Sequence, residues 1–180
     1  MASCEKILIA GFSGAGKTSL LKQLKTYSKA QGVTFSDLDQ LILKNHGKKY
    51  FDLSELIEDN GWEKFRLWER QEFESWLKEE GKGVIALGGG TLSPLLWELY
   101  SKQRKLLFCY LKVPFEVAWQ RLANQSDENR PLVKLGKEKF HELFEAREEI
   151  YCKIEWQLDG TQKLEVISEA FWTNISVFNV

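Results

Sequence analysis

The eight residues GFSGAGKT at positions 11–18 constrain this chain more than any other stretch. They follow the apolar run KILIA and precede KTSLLKQLKTYSKA, whose leucines recur at helical spacing. The pattern G-x-x-x-x-G-K-T between a strand and a helix is a phosphate-binding loop. Its glycines let backbone N–H groups curl around phosphate oxygens, and the helix offers its N-terminus to the same anion. The strand before it and the helix after it favour this reading over an incidental glycine turn. The loop places Gly14, Ala15, Gly16, Lys17, Thr18 and Ser19 around a nucleotide's phosphates. Lys17 would reach the β- and γ-phosphates and Thr18 would ligate magnesium.

The rest of the chain supplies a sheet to carry that loop. VTFSD (33–37), GVIALGGG (83–90), KLLFCYL (105–111) and IEWQLD (154–159) read as further strands. Helical patterns run over 62–80, 93–102, 114–123, 137–151 and 164–172, with Asp52 and Glu55 spaced as a capping box and Ser93-Pro94 as a helix start. The tail from Thr173 has no clear pattern. Strands alternating with helices predict an α/β fold: a P-loop NTPase-type three-layer sandwich with a five-stranded parallel sheet flanked by helices. Ligands in such sheets bind beyond the carboxyl ends of the strands. A chain of 180 residues with no linker predicts a single domain over 1–180. Within it lie the phosphate loop at 11–18, a substrate-binding region at about 37–80 and a mobile lid at about 124–136.

Composition narrows the partners. Twenty-five basic residues against 26 acidic ones give no bulk charge for nucleic acid or an anionic membrane. Three cysteines without C-x-x-C spacing and two histidines argue against a disulfide framework and a zinc site, and suit a reducing cytoplasm. No apolar run is long enough for a signal peptide or a membrane span. The expectation is a cytoplasmic monomer. A GTPase switch would carry an N-K-x-D guanine motif, which is absent.

Several residues outside the loop bear on chemistry. Asp37 and Asp39 sit two apart at a strand end, where an extended backbone puts both on one face. They could divide between a metal and a substrate hydroxyl, or serve a turn or a helix cap. On the helix from Trp62, Arg66 and Glu69 share the face of Trp62, Phe65, Phe73, Trp76 and Leu77. On the later helix Arg147 lies in the stripe of Phe140, Leu143, Phe144, Ile150 and Tyr151. A guanidinium in an apolar stripe either lays its stem there with its head in water or meets an anion, and its planar fork matches a carboxylate or phosphate; two of them beside a phosphate loop favour a site. Glu69 could partner Arg66 at i+3. Gly88, Gly89 and Gly90 either admit a ligand to the backbone or make a tight turn. Arg130, in the polar segment NQSDENRPL, suits either a lid over phosphate or a solvated loop.

Six motifs in order resemble the shikimate kinase family: GFSGAGKT, FSDLDQLI, GWEKFRLWE, VIALGGG, NRPL and AREEIY. The resemblance spans nearly the whole chain and implies transfer of the ATP γ-phosphate to the 3-hydroxyl of shikimate. It implies ATP and Mg2+ as cofactors, with Thr18 and Asp37 serving the metal, Asp37 through water. Asp39 would face the substrate hydroxyls, and Arg66 and Arg147 would hold the substrate carboxylate. Gly88, Gly89 and Gly90 would line the substrate, Gly89 through its backbone. Lys17 and Arg130 would stabilise the transferring phosphoryl group. Arg121 and Lys163 would lie near adenine. A kinase for another small hydroxy acid such as gluconate and a catalytically silent nucleotide-binding module are the rival readings. The silent module would be expected to lack Lys17 or Asp39.

Overall fold

The structure, a computed structural model, describes residues 5–27, 32–124 and 135–177. Five parallel strands form one sheet: β1 (Lys6–Ala10), β2 (Val33–Asp37), β3 (Lys82–Ala86), β4 (Leu106–Lys112) and β5 (Trp156–Asp159), in the order β2-β3-β1-β4-β5. β1 is the central strand, with Ile7 opposite Val84 on one side and Leu107 on the other. Its five residues are all buried. That is why the sequence there is an unbroken apolar run rather than an alternating one: helices cover both faces of such a sheet. β2, at one edge, is only partly buried along its length.

Seven helices complete the described chain: α1 (Lys17–Tyr27), α2 (Leu38–His46), α3 (Leu53–Lys78), α4 (Pro94–Tyr100), α5 (Phe115–Ala123), α6 (Lys137–Tyr151) and α7 (Leu164–Val177). α1 packs on α7, α2 on α3 and α5 on α6. The local signals for two starts are realised. The Ser93 hydroxyl accepts from the Leu96 N–H at 3.2 Å ahead of Pro94. The Asp52 carboxylate accepts from Glu55 N–H at 3.0 Å. Glu55 reaches back to the N–H of Phe51 instead of the cap residue, at 2.8 Å.

Three boundaries differ from the sequence reading. α2 was not expected, because nine residues with only four apolar ones show little periodicity. The helix expected from Trp62 is the second arm of α3, which begins at Leu53 and breaks at Gly61, where φ is 80° and ψ 160°. The last helix runs on to Val177 and absorbs most of the unassigned tail. Most of the expected lid, with Arg130, lies outside the described residues. None of the described helices is long and apolar enough to cross a membrane.

Candidate active site

The carboxyl ends of the strands open into a cavity of about 760 Å3. The phosphate loop forms one wall and bends from β1 into α1. Lys17, only 8% exposed, donates from Nζ to the carbonyl oxygens of Gly11 at 2.8 Å and Phe12 at 3.0 Å. Burial lowers its pKa to about 8, against the opposing pull of Asp39 and Asp37. Gly14, Ala15, Gly16, Lys17, Thr18 and Ser19 all line the cavity.

Asp37 and Asp39 meet this wall, but not as an extended pair. Asp37 ends β2 and caps α2, accepting from the Gln40 N–H at 3.3 Å. Asp39 is in the first turn of α2. The chain thus turns between them, and the shared-face argument from an extended strand does not hold. What holds is their division. The Thr18 hydroxyl donates to Asp37 Oδ2 at 2.7 Å. Asp39 instead lies beside Gly88, with Oδ1 2.8 Å from where a β-carbon there would sit. Enclosure by the cavity wall raises the Asp39 pKa to about 6, and the Asp37 charge adds to the rise.

The two inward arginines arrive from α3 and α6 at the same place. A β-carbon on Gly90 would lie 2.6 Å from Arg66 Nη2 and 2.9 Å from Arg147 Nη2. Arg66 donates to Glu69 at 2.5 Å, as its i+3 spacing suggests, and its guanidinium lies 5.2 Å from the Trp62 ring centre. Glu69 is 3% exposed and its other oxygen accepts from Thr91 Oγ1 at 2.6 Å, so this buried carboxylate is fully engaged. Arg147 lies 4.9 Å from the centre of the Phe12 ring, and its Nη1 has no hydrogen-bond partner among the described residues. One guanidinium is therefore partly neutralised by Glu69, while the other keeps a buried donor to spare.

The glycine triplet is the wall that joins these parts. Gly88 faces Asp39 and Glu69, Gly89 faces Ser13 of the phosphate loop, and Gly90 faces both arginines. Of the two readings, ligand approach and a tight turn, the turn is present: the Thr91 N–H closes onto the Gly88 carbonyl at 3.1 Å, and all three glycines line the cavity. Toward the expected adenine end, Arg121 donates to the Ala15 carbonyl at 3.1 Å and the Gly160 carbonyl at 2.9 Å, tying the phosphate loop to the segment after β5. Lys163 does not line the cavity and is exposed; Gly160, Gln162 and Leu164 line it instead. The family resemblance pointed to this segment, and the chain brings Lys163's neighbours to the cavity instead of Lys163 itself. Ser13 and Thr91 were also missed, since single small polar residues in a loop give no periodic signal.

Comparison with known proteins identifies the family. A family model described as shikimate kinase matches residues 13–174. A bifunctional shikimate kinase/3-dehydroquinate synthase from Thermotoga maritima is 30% identical over 174 residues, covering 91% of this chain and 33% of the relative. This chain thus spans about a third of that relative's length. A shikimate kinase from Sulfurihydrogenibium is 32% identical over 159 residues, covering 88% of this chain and 90% of its own. Among solved structures, a shikimate kinase from Acinetobacter baumannii in complex with shikimate superposes with a TM-score of 0.75 at 24% identity, covering 96% of this chain and 94% of that one. At that identity the likeness speaks for the fold.

Proposed function

The chain belongs to the shikimate kinase family, and from that premise we propose that it transfers the γ-phosphoryl group of ATP to the 3-hydroxyl of shikimate, giving shikimate 3-phosphate and ADP. The observation that carries the substrate is the convergence of Arg66 and Arg147 on Gly90. A carboxylate seated there would accept from both guanidinium groups and engage the spare Nη1 donor of Arg147. The phosphate loop forms another wall of the same cavity, so one ligand bound by its acid group can meet the phosphates of another. The buried Cys109 and the free Cys152 suit a reducing cytoplasm.

Phosphoryl transfer asks the protein mainly for position and charge. Lys17 holds a positive charge against the phosphates, and Arg130, outside the described residues, keeps the same role by resemblance. Asp39 orients the substrate hydroxyl and takes up its proton as the new O–P bond forms. The Gly89 backbone lies against the bound acid. Thr18 and Asp37 offer two hard oxygen donors 2.7 Å apart, a pair that fits Mg2+ bound with waters and phosphate oxygens. Bound there, the ion would neutralise charge on the β- and γ-phosphates.

The test is an ADP-release assay with shikimate, its carboxamide, quinate, gluconate and AMP, with and without a chelator. Shikimate should be turned over and its carboxamide should bind poorly. Turnover should stop when magnesium is removed. Equal use of the acid and the amide would detach the arginine pair from carboxylate recognition, and preference for gluconate would move the chain to another small hydroxy acid.

A further inference from the structure

The motif AREEIY contributes its arginine to the reading above and leaves its tyrosine without a role. Tyr151 is 1% exposed and lies on α6 one turn beyond Arg147, on the same face of the helix. Its hydroxyl donates to the carbonyl oxygen of Gly89 at 2.8 Å. Burial pushes its pKa well above the usual phenol range, so the proton stays in place across working pH. Its ring tilts against Tyr110 at 5.2 Å, and the Tyr110 hydroxyl in turn donates to Glu148 of α6.

A buried tyrosine usually finds some partner for its hydroxyl. Here the partner is a peptide in the substrate wall. α6 thereby meets the glycine triplet at two adjacent points: Tyr151 at the Gly89 carbonyl, and the Arg147 tip at the open side of Gly90. The Gly89–Gly90 peptide is trans, as are all peptides among the described residues, and is a rigid plane. Holding its carbonyl therefore sets the orientation of the backbone whose open side both guanidinium groups face. Without Cβ atoms, the triplet has no side chains of its own to resist rotation.

We infer that Tyr151 is a positioning residue for acid recognition: by pinning the Gly89 carbonyl it sets α6 against the glycine wall, so that Arg147 and Arg66 present their donors at a spacing one carboxylate bridges. The inference rests on the proposed shikimate kinase activity. It assigns Tyr151 no contact with substrate or nucleotide.

The test compares wild type with Tyr151→Phe, which removes only the hydroxyl, by steady-state kinetics and thermal melting. Loss of one neutral hydrogen bond should raise the shikimate KM roughly threefold to tenfold, with kcat and the ATP KM held within about twofold. Preference for the acid over the carboxamide should fall by a similar factor. An unchanged shikimate KM in the folded variant, or equal rises in both KM values, would make Tyr151 a core residue only and overturn the inference. Should the Phe variant fail to fold, p-aminophenylalanine placed at 151 keeps a donor of similar reach. Wild-type kinetics there support the inference, and a raised shikimate KM in that folded protein overturns it. A wild type that does not turn over shikimate defeats the functional reading and this inference with it; wild-type turnover beside an unmoved Tyr151→Phe defeats the inference alone.

Discussion

Asp39 works at the edge of its own ionisation. Enclosure and the neighbouring Asp37 raise its pKa to about 6, while burial lowers that of Lys17 to about 8. The direction of the consequence follows from which form acts. In its proposed role Asp39 must be a carboxylate to take up the hydroxyl proton, so activity should be lost as pH falls through about 6. In its proposed role Lys17 must be an ammonium to hold phosphate, so kcat/KM for ATP should fall as pH rises past about 8. We expect the acid limb in kcat/KM for shikimate and the alkaline limb in kcat/KM for ATP. Asp39→Asn should lower kcat strongly, leave ATP binding intact and flatten the acid limb. An acid limb that survives the substitution would belong to another group and would remove Asp39 from the chemistry.

At the scale of elements, the decisive feature is the break in α3. A straight helix from Leu53 to Lys78 would carry one continuous direction; Gly61, at φ 80° and ψ 160°, lets the arm bearing Arg66 and Glu69 take its own. No atom stands within 4 Å of the position a β-carbon would occupy there. Gly61→Ala would therefore meet backbone strain alone, worth roughly 1–3 kcal/mol in this essentially glycine-only region. The variant should melt several degrees lower and, because relief of the strain redirects the second arm, should show a raised shikimate KM. Unchanged melting and KM would mean that the break is incidental to where Arg66 points. Both arms were legible in the sequence, one from its capping residues and one from its apolar face. Their junction was not, since periodicity within each arm says nothing about the angle between them.

Across the whole molecule, the parallel topology delivers five segments distant in the chain to one end of the sheet. The loop after β1, the start of α2, the second arm of α3, the triplet after β3 and α6 all converge there. The triplet touches most of them, and its three residues should fail differently. On Gly90 a methyl would enter the space of both guanidinium tips. Gly90→Ala should raise the shikimate KM by about one to two decades, the scale of a lost charge-assisted bond, with little change for ATP. On Gly89 the methyl would lie 2.3 Å from Ser13 Oγ and 2.8 Å from the Ser13 backbone nitrogen, so the phosphate loop itself must shift. Gly89→Ala should impair ATP and shikimate together. If the two variants affected both substrates alike, the triplet would be a common support without separate contacts.

The linear chain determined what needed only neighbours. The phosphate loop is legible because its glycines, Lys17 and Thr18 act within one strand–loop–helix unit. The buried strands are legible because covering both faces demands unbroken apolar runs. Even the unusual arginines show themselves, since an apolar stripe marks the face they share. Tertiary structure alone decided who meets whom. That Arg66 and Arg147 end at the same glycine depends on the sheet order and on the break at Gly61, neither of which leaves a local pattern. The same holds for Asp37 and Asp39, parted by a helix start, for Arg121 clasping two backbone carbonyls, and for Lys163 turned outward. Hydrogen bonds and ion pairs between residues dozens of positions apart are set by packing, and packing is a property of the closed fold.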